Sequence, residues 1–374
     1  MTLDRNRMFD SGQFLLGTFA SNCSGGMSVT KVPERWVNSW DNNLKLARLL
    51  DAADIDFMLP IARWIGYGGE TNFHGGVLET MTWAASLAAS TANINVFATV
   101  HVSANHPVVV AKQIATIDEV SRGRVGLNIV AGWNKPEYEA LGLELPDEHT
   151  DRYGYAEEWF EVVKALWTRS EAFDWDGRHL RLKSVLGDPR PGRPVPIINA
   201  AGSAEGRAFA VRNADFLFTP VIDLARSKEE IAALKAQAAE IGRSVGVLTF
   251  SHVVCRPTEK EARDYLQYFG KDNADWEAVD NLVRLQFAHA QSFPHDLLAL
   301  IRDLMAAGHG GFPLVGTPEQ VAERILALHS IGLAGTTLSF VDYAEEFPYF
   351  RDTVLPILSD HGIRRPLPAH AAVA

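Results

Sequence analysis

Short apolar runs rich in Val, Ile and Phe alternate eight times with longer segments of helical period. The strand-like runs fall at 13–20, 56–59, 93–100, 124–130, 195–199, 215–219, 246–254 and 336–341. The segments of helical period fall at 41–53, 77–90, 107–121, 153–168, 204–212, 228–241, 258–269 and 317–331. Two of them begin with helix-start chemistry: Ser227 precedes a Lys-Glu-Glu-Ile run, and Thr317-Pro318-Glu319 puts proline at the first helical position, where its missing N–H costs nothing. Repeated strand–helix pairs predict parallel strands joined by right-handed crossovers, and the economical closed form is a (β/α)8 TIM barrel. An open doubly wound sheet is the alternative. Against it, the first strand runs into Ser21-Asn22-Cys23-Ser24-Gly25-Gly26, which does not fit GxGxxG, and no acidic residue ends a second strand about 20 residues on.

A barrel of this kind needs about 250 residues, so a chain of 374 carries large insertions. Three intervals exceed ordinary connections, 21–40, 133–151 and 270–316, and all lie toward the carboxyl ends of strands, where barrel active sites are built. The third holds Trp276, Arg284, Phe287, His289, His295 and the glycine-rich run 308–313, a composition that suits a mobile lid. A helical excursion packed against a neighbouring subunit would read the same way. The expected organisation is one barrel domain over 1–364, with the lid at about 270–316 and a loose Pro/Ala-rich tail at 365–374.

Charge and cysteine content narrow the partners. The formal net charge of −11 disfavours nucleic acid and anionic membranes. No run of about 18 apolar residues occurs, and the opening MTLDRNRMFDSGQF lacks a signal-type apolar core, so the expected location is cytoplasmic. Cys23 and Cys255 lie far apart without CxxC spacing and read as free thiols. The twelve histidines show no metal-ligand spacing, so no metal is expected. His101 and His106 are candidate proton carriers, because imidazole ordinarily titrates near neutrality; Pro107 makes His106 equally a helix cap.

Two stretches carry polar groups where strands should end. Asn128 sits inside the apolar run 124–130 just before Ala131-Gly132-Trp133; its amide needs either a ligand or backbone partners, and the sequence leaves both open. Ala200-Ala201-Gly202-Ser203 closes another strand and opens a helix. Bare amides, a glycine and a hydroxyl there make an anion site, or Ser203 merely caps the helix.

Four phrases together are specific: ATIDEVSRGRVGLNIVAGW, the box around His149 and Asp151-Arg152-Tyr153, INAAGSAEGRAFA, and VGTPEQVAERI. They resemble the bacterial luciferase-like flavin-dependent monooxygenases, over nearly the whole chain. GWNKPEYEALG resembles the pyrimidine-type enzymes; SGGMSVTKV, NLKLARLLDAADIDF and IGYGG resemble the dimethylsulfone type, with alkanesulfonate enzymes also nearby. The resemblance implies reduced FMN, supplied by a separate NAD(P)H-dependent flavin reductase, and O2 as co-substrate. It implies insertion of one oxygen atom, through a flavin peroxide at C4a or N5, into an organosulfur compound, a heterocyclic amide or a halogenated aromatic. It also implies a homodimer or homotetramer. By the same resemblance Tyr153, Ala201, Gly202 and Ser203 hold the FMN phosphate, while Ile61, Thr99 and Asn128 meet the flavin ring. Thr99, Asn128 and Arg63 are then the catalytic candidates, and Arg63, Trp64, Trp133 and Glu137 the substrate contacts. Arg63 falls where the pyrimidine type has a lysine, and its planar fork suits a sulfonyl, carboxylate or carbonyl oxygen. Glu137 could orient an amide, act as a base, or pair with Lys135 or Arg152. The alternatives are a deazaflavin-dependent oxidoreductase on the same barrel, a non-catalytic flavin-binding barrel, or a metal-free hydrolase.

Overall fold

The computed structural model describes residues 6–9, 12–286 and 295–366, with the side chains of 295–298 excepted. Phe287, His289, the His295 side chain and the tail from 367 lie outside the described residues. The strands are β1 (Leu15–Phe19), β2 (Phe57–Leu59), β3 (Asn95–His101), β4 (Val125–Val130), β5 (Phe173–Asp176), β6 (Arg181–Val185), β7 (Ile197–Ala200), β8 (Phe216–Phe218), β9 (Gly246–Cys255), β10 (Phe312–Gly316) and β11 (Gly335–Ser339). Among the described residues β1, β2, β3, β4, β7, β8, β9 and β11 pair in parallel, each with the next, and β11 returns to β1. The eight strand-like runs of the sequence fall on these eight strands, and the barrel is closed.

The helices are α1 (Trp40–Ala52), α2 (Thr80–Ser90), α3 (Pro107–Ser121), α4 (Lys135–Ala140), α5 (His149–Thr168), α6 (Ala204–Asn213), α7 (Leu224–Glu240), α8 (Glu259–Gln267), α9 (Trp276–Gln286), α10 (His295–Gly308), α11 (Pro318–Ser330) and α12 (Tyr343–Asp360). Thr317 starts α11 with a full capping box to Gln320. Ser227 does not start α7. The helix begins a turn earlier because Asp223 accepts the Arg226 N–H at 2.7 Å, and a carboxylate there complements the helix dipole. Helix α12 was hidden in the sequence by Pro348 and Pro356, which interrupt the expected pattern but sit inside the helix.

The third insertion is largely helical. Thr71 donates its backbone N–H and its hydroxyl to Asp275, just before α9, at 2.7 and 2.8 Å, and Asn281 of α9 donates to the Tyr67 carbonyl at 3.1 Å. The apolar face of α9 and the end of α10 pack on Val29, Tyr67 and Phe73 from the loops after β1 and β2. The run 308–313, read from its glycines as flexible, is mostly buried and leads into β10, which pairs with the distal half of β9 from Ser251 to Cys255. Glycine here serves close packing, because a Cβ at Gly308 would collide with the His252 ring.

Inside the barrel, Leu15, Phe57, Leu59, Phe97, Ile198, Phe216, Phe218 and Leu248 form one apolar plug, with Met8 packed against it. Each such side chain contributes about 1.5–3 kcal/mol by leaving water. Gly126 on β4 makes room for the Phe97 ring. At the amino ends of the strands a cavity of about 500 Å³ opens among Asn6, Asn95, Arg122 and Arg193. The polar side chains singled out by the sequence gather at the opposite, carboxyl ends.

Candidate active site

Thr99 and Asn128 are direct partners in the β3–β4 register, and both are buried. Asn128 Nδ2 donates to Thr99 Oγ1 at 3.1 Å, and Thr99 Oγ1 donates to the Pro60 carbonyl at 2.6 Å. The hydroxyl hydrogen is therefore committed to backbone, and the group left over is an acceptor: Asn128 Oδ1 is buried without a partner. An unmet buried acceptor costs about 1–3 kcal/mol, which a ligand N–H would recover. On the next strand Asn199 repeats the pattern, with Nδ2 donating to the Ile129 carbonyl at 2.8 Å and Oδ1 unpartnered. Ile61, after β2, is held by Asn22, whose side chain accepts the Ile61 N–H at 3.0 Å and donates to its carbonyl at 2.8 Å.

Arg63 and Glu137 meet in the interior. Arg63 Nη1 lies 3.3 Å from Glu137 Oε2, with side-chain exposures of 5% and 0%. The other carboxylate oxygen accepts the Trp64 N–H at 2.5 Å. Glu137 thus pairs with neither Lys135, which is exposed, nor Arg152, which donates to the carbonyls of Gly132 and Asp147. The Arg63 guanidinium lies 5.0 Å from the Tyr67 ring centroid and 5.2 Å from that of Trp133, so two aromatic rings hold it. Its Nε has no partner. The Trp64 side chain is 49% exposed, and only its backbone joins the group.

Three buried imidazoles belong to the same neighbourhood. Burial, reinforced by the positive charge of Arg63, pushes His101 and His309 down to about 3. His74 falls well below its ordinary value, through burial and then the neighbouring His309. His101 therefore stays neutral around pH 7 and does not titrate near neutrality as its residue type suggested. His106 is the helix cap: its Nδ1 accepts the Val108 N–H at 3.3 Å at the start of α3. Rings of His74 and His309 stack at 5.8 Å, and each keeps an unpartnered Nδ1.

At the start of α6, Ser203 Oγ accepts the Gly206 N–H at 3.1 Å. Capping uses a lone pair of the hydroxyl and leaves its hydrogen free to donate, so the cap and an anion contact are compatible. Gly202 has open space where a side chain would stand, whereas a Cβ at Gly206 would come within 2.5 Å of both the Tyr153 hydroxyl and Ala201 Cβ. Ala201 is buried, and its N–H goes to the Phe218 carbonyl at 3.3 Å. Burial raises the Tyr153 hydroxyl above its usual value, with an opposing effect from Asn199, so the phenol remains a proton donor. Next to it, Arg152 is buried and, among the described residues, has no carboxylate within ion-pair distance. A phosphate-bearing cofactor fits this corner: helix-start amides, an available hydroxyl, a phenol and an unbalanced guanidinium.

The luciferase-like monooxygenase family profile matches residues 15–335. The chain belongs to that family. An FMNH2-dependent dimethylsulfone monooxygenase of Pseudomonas fluorescens is 32% identical over 346 residues, 91% of this chain and 93% of that protein. Pyrimidine monooxygenase RutA of Cronobacter turicensis is 30% identical over 349 residues, 92% of each. The structure of DmoA from Hyphomicrobium sulfonivorans has the same fold, with a TM-score of 0.83 at 19% identity over 96% of this chain and 93% of that one.

In this luciferase-like monooxygenase several residues of the cluster escaped sequence reasoning. Tyr67 and His74 belong to the glycine-rich stretch after β2, whose IGYGG phrase was noticed for its resemblance and not for its phenol. His309 lies in the run assigned to a lid by composition. Asn22, Asn199 and Arg152 stand inside quoted phrases, where nothing in the spacing marks them as buried. Among the described residues no group of His, Cys, Asp and Glu is arranged to hold a metal ion, and no helix is long and apolar enough to cross a membrane.

Proposed function

We propose that this monooxygenase uses reduced FMN and O2 to place one oxygen atom in a small organic molecule, with the reduced flavin delivered by a separate NAD(P)H-dependent reductase. The observation that carries this reading is the pairing, on one end of the barrel, of an anion-receptive helix start with a buried, unpartnered Asn128 acceptor. Its relatives' names supply the cofactor. Reduced FMN, when bound, supplies the two electrons that activate O2.

In this reading Ser203, Gly202, Tyr153 and Arg152 hold the phosphate. Ile61, Thr99 and Asn128 orient the ring: Asn128 Oδ1 accepts a ring N–H, and Thr99 fixes the amide by accepting from Nδ2. Arg63 donates to an oxygen of the substrate, and Glu137 with Trp133 holds Arg63 in place. Helices α9 and α10 cover the loops after β1 and β2 and help exclude water as a lid. The two cysteines are both buried and unpaired, in keeping with a cytoplasmic setting.

Rapid mixing tests the proposal. Protein and reduced FMN are combined without oxygen, O2 is admitted, and flavin absorbance is followed. An oxygen-dependent transient preceding the oxidised spectrum is expected. Direct return to oxidised flavin, together with tight binding of a deazaflavin, would overturn it.

A further inference from the structure

We propose that the Arg63–Glu137 pair makes the site select uncharged substrates bearing an oxygen acceptor, such as a sulfone or an amide, over their anionic counterparts. This rests on the reading that Arg63 faces the substrate. A lone buried guanidinium would draw in a sulfonate or carboxylate. Here its countercharge is built in: Glu137 is fully buried, one oxygen on Arg63 and the other on the Trp64 N–H. Both Glu137 oxygens are engaged by Arg63 and the Trp64 N–H, and in this reading it acts as a positioning residue.

An anion entering beside a closed ion pair meets repulsion from Glu137 that offsets its attraction to Arg63, while it still loses its hydration. An uncharged oxygen loses far less and can take a charge-assisted hydrogen bond from the unpartnered Nε. The other titratable side chains whose charge Arg63 influences add no compensating charge. His74, His101 and His309 are neutral, the Tyr67 hydroxyl keeps its proton, and burial pushes the Cys23 thiol up to about 12. A second buried guanidinium, Arg152, is tied to the Gly132 and Asp147 carbonyls beside the phosphate corner.

The test compares matched ligands on the FMN-bound protein: dimethylsulfone against methanesulfonate, and acetamide against acetate. Dissociation constants are read from tryptophan fluorescence and ligand-observed NMR. The wild type is expected to bind the neutral member of at least one pair ~10-fold or more tightly than the anion. Glu137→Gln should shift that ratio toward the anion by a similar factor, and the double variant Arg63→Gln/Glu137→Gln should restore the preference for the neutral ligand. If Glu137→Gln does not fold, the wild-type ratio and the double variant decide. Anions bound as tightly as their neutral partners, a ratio unchanged across all three proteins, or no binding of either pair would overturn the inference. The rapid-mixing experiment is independent, so a protein that reacts with oxygen yet prefers anions would leave the monooxygenase reading standing.

Discussion

The corner around Ser203 and the cluster around Arg63 each contain a buried arginine at the carboxyl end of the same barrel, but their charges are handled differently. Arg152 is held by backbone carbonyls and has no carboxylate within reach among the described residues, whereas Arg63 carries Glu137 with it. The first arrangement leaves a positive charge for a ligand to balance, and the second has already balanced itself. The proposed division, a phosphate at one and a neutral substrate at the other, rests on this asymmetry. The net charge of −11 is compatible with it, because backbone amides and one guanidinium define the local field.

Changes at the two ends should therefore separate. The largest effect is expected for Gly206→Val, whose side chain has no room beside Tyr153 and Ala201. FMN affinity should fall by ~100-fold, about 3 kcal/mol, with substrate affinity at the Arg63 end preserved. Quenching of flavin fluorescence measures the first and ligand-observed NMR the second; parallel losses would break the separation.

Acid should act on the other end. His101 and His309 titrate at about 3 in the folded protein, against 6.5 for an ordinary imidazole. The unfolded chain thus takes up more protons below pH 6.5, so stability present above that pH is lost as pH falls toward 3. By pH 5 the loss is about 2 kcal/mol for each histidine. Urea midpoints at pH 7.5 and 5 for the wild type and His309→Gln check this, with a flatter pH dependence expected in the variant.

Smaller effects follow. Ser203→Ala should weaken FMN by about 1–2 kcal/mol through loss of one charge-assisted hydrogen bond; an unchanged dissociation constant would reduce Ser203 to a helix cap. Asn128→Ala should weaken flavin binding by about 1–2 kcal/mol, the bond its Oδ1 accepts from a ring N–H, and slow oxygen transfer to substrate, measured as product formed per reduced flavin consumed.

The barrel was legible in the sequence because its strands are short runs of apolar residues separated by segments of helical period, and that alternation survives insertions. Thr99, Asn128 and Ser203 were legible for a related reason: each is a polar residue at the end of an apolar run. What the pattern could not give was pairing across the fold. Glu137 meets Arg63 across 74 residues of sequence, and His309 reaches His74 from the far side of two helices. Glycine marks both mobile loops and places where backbones crowd, and in the 308–313 run the packing against His252 shows the second.

The charged corner is tested most directly by comparing FMN with riboflavin, which differ by the phosphate alone. FMN is expected to bind ~100-fold more tightly, the worth of one or two charge-assisted hydrogen bonds at about 1.5–3 kcal/mol each. Equal dissociation constants would contradict the assignment of Ser203, Tyr153 and Arg152 to the phosphate.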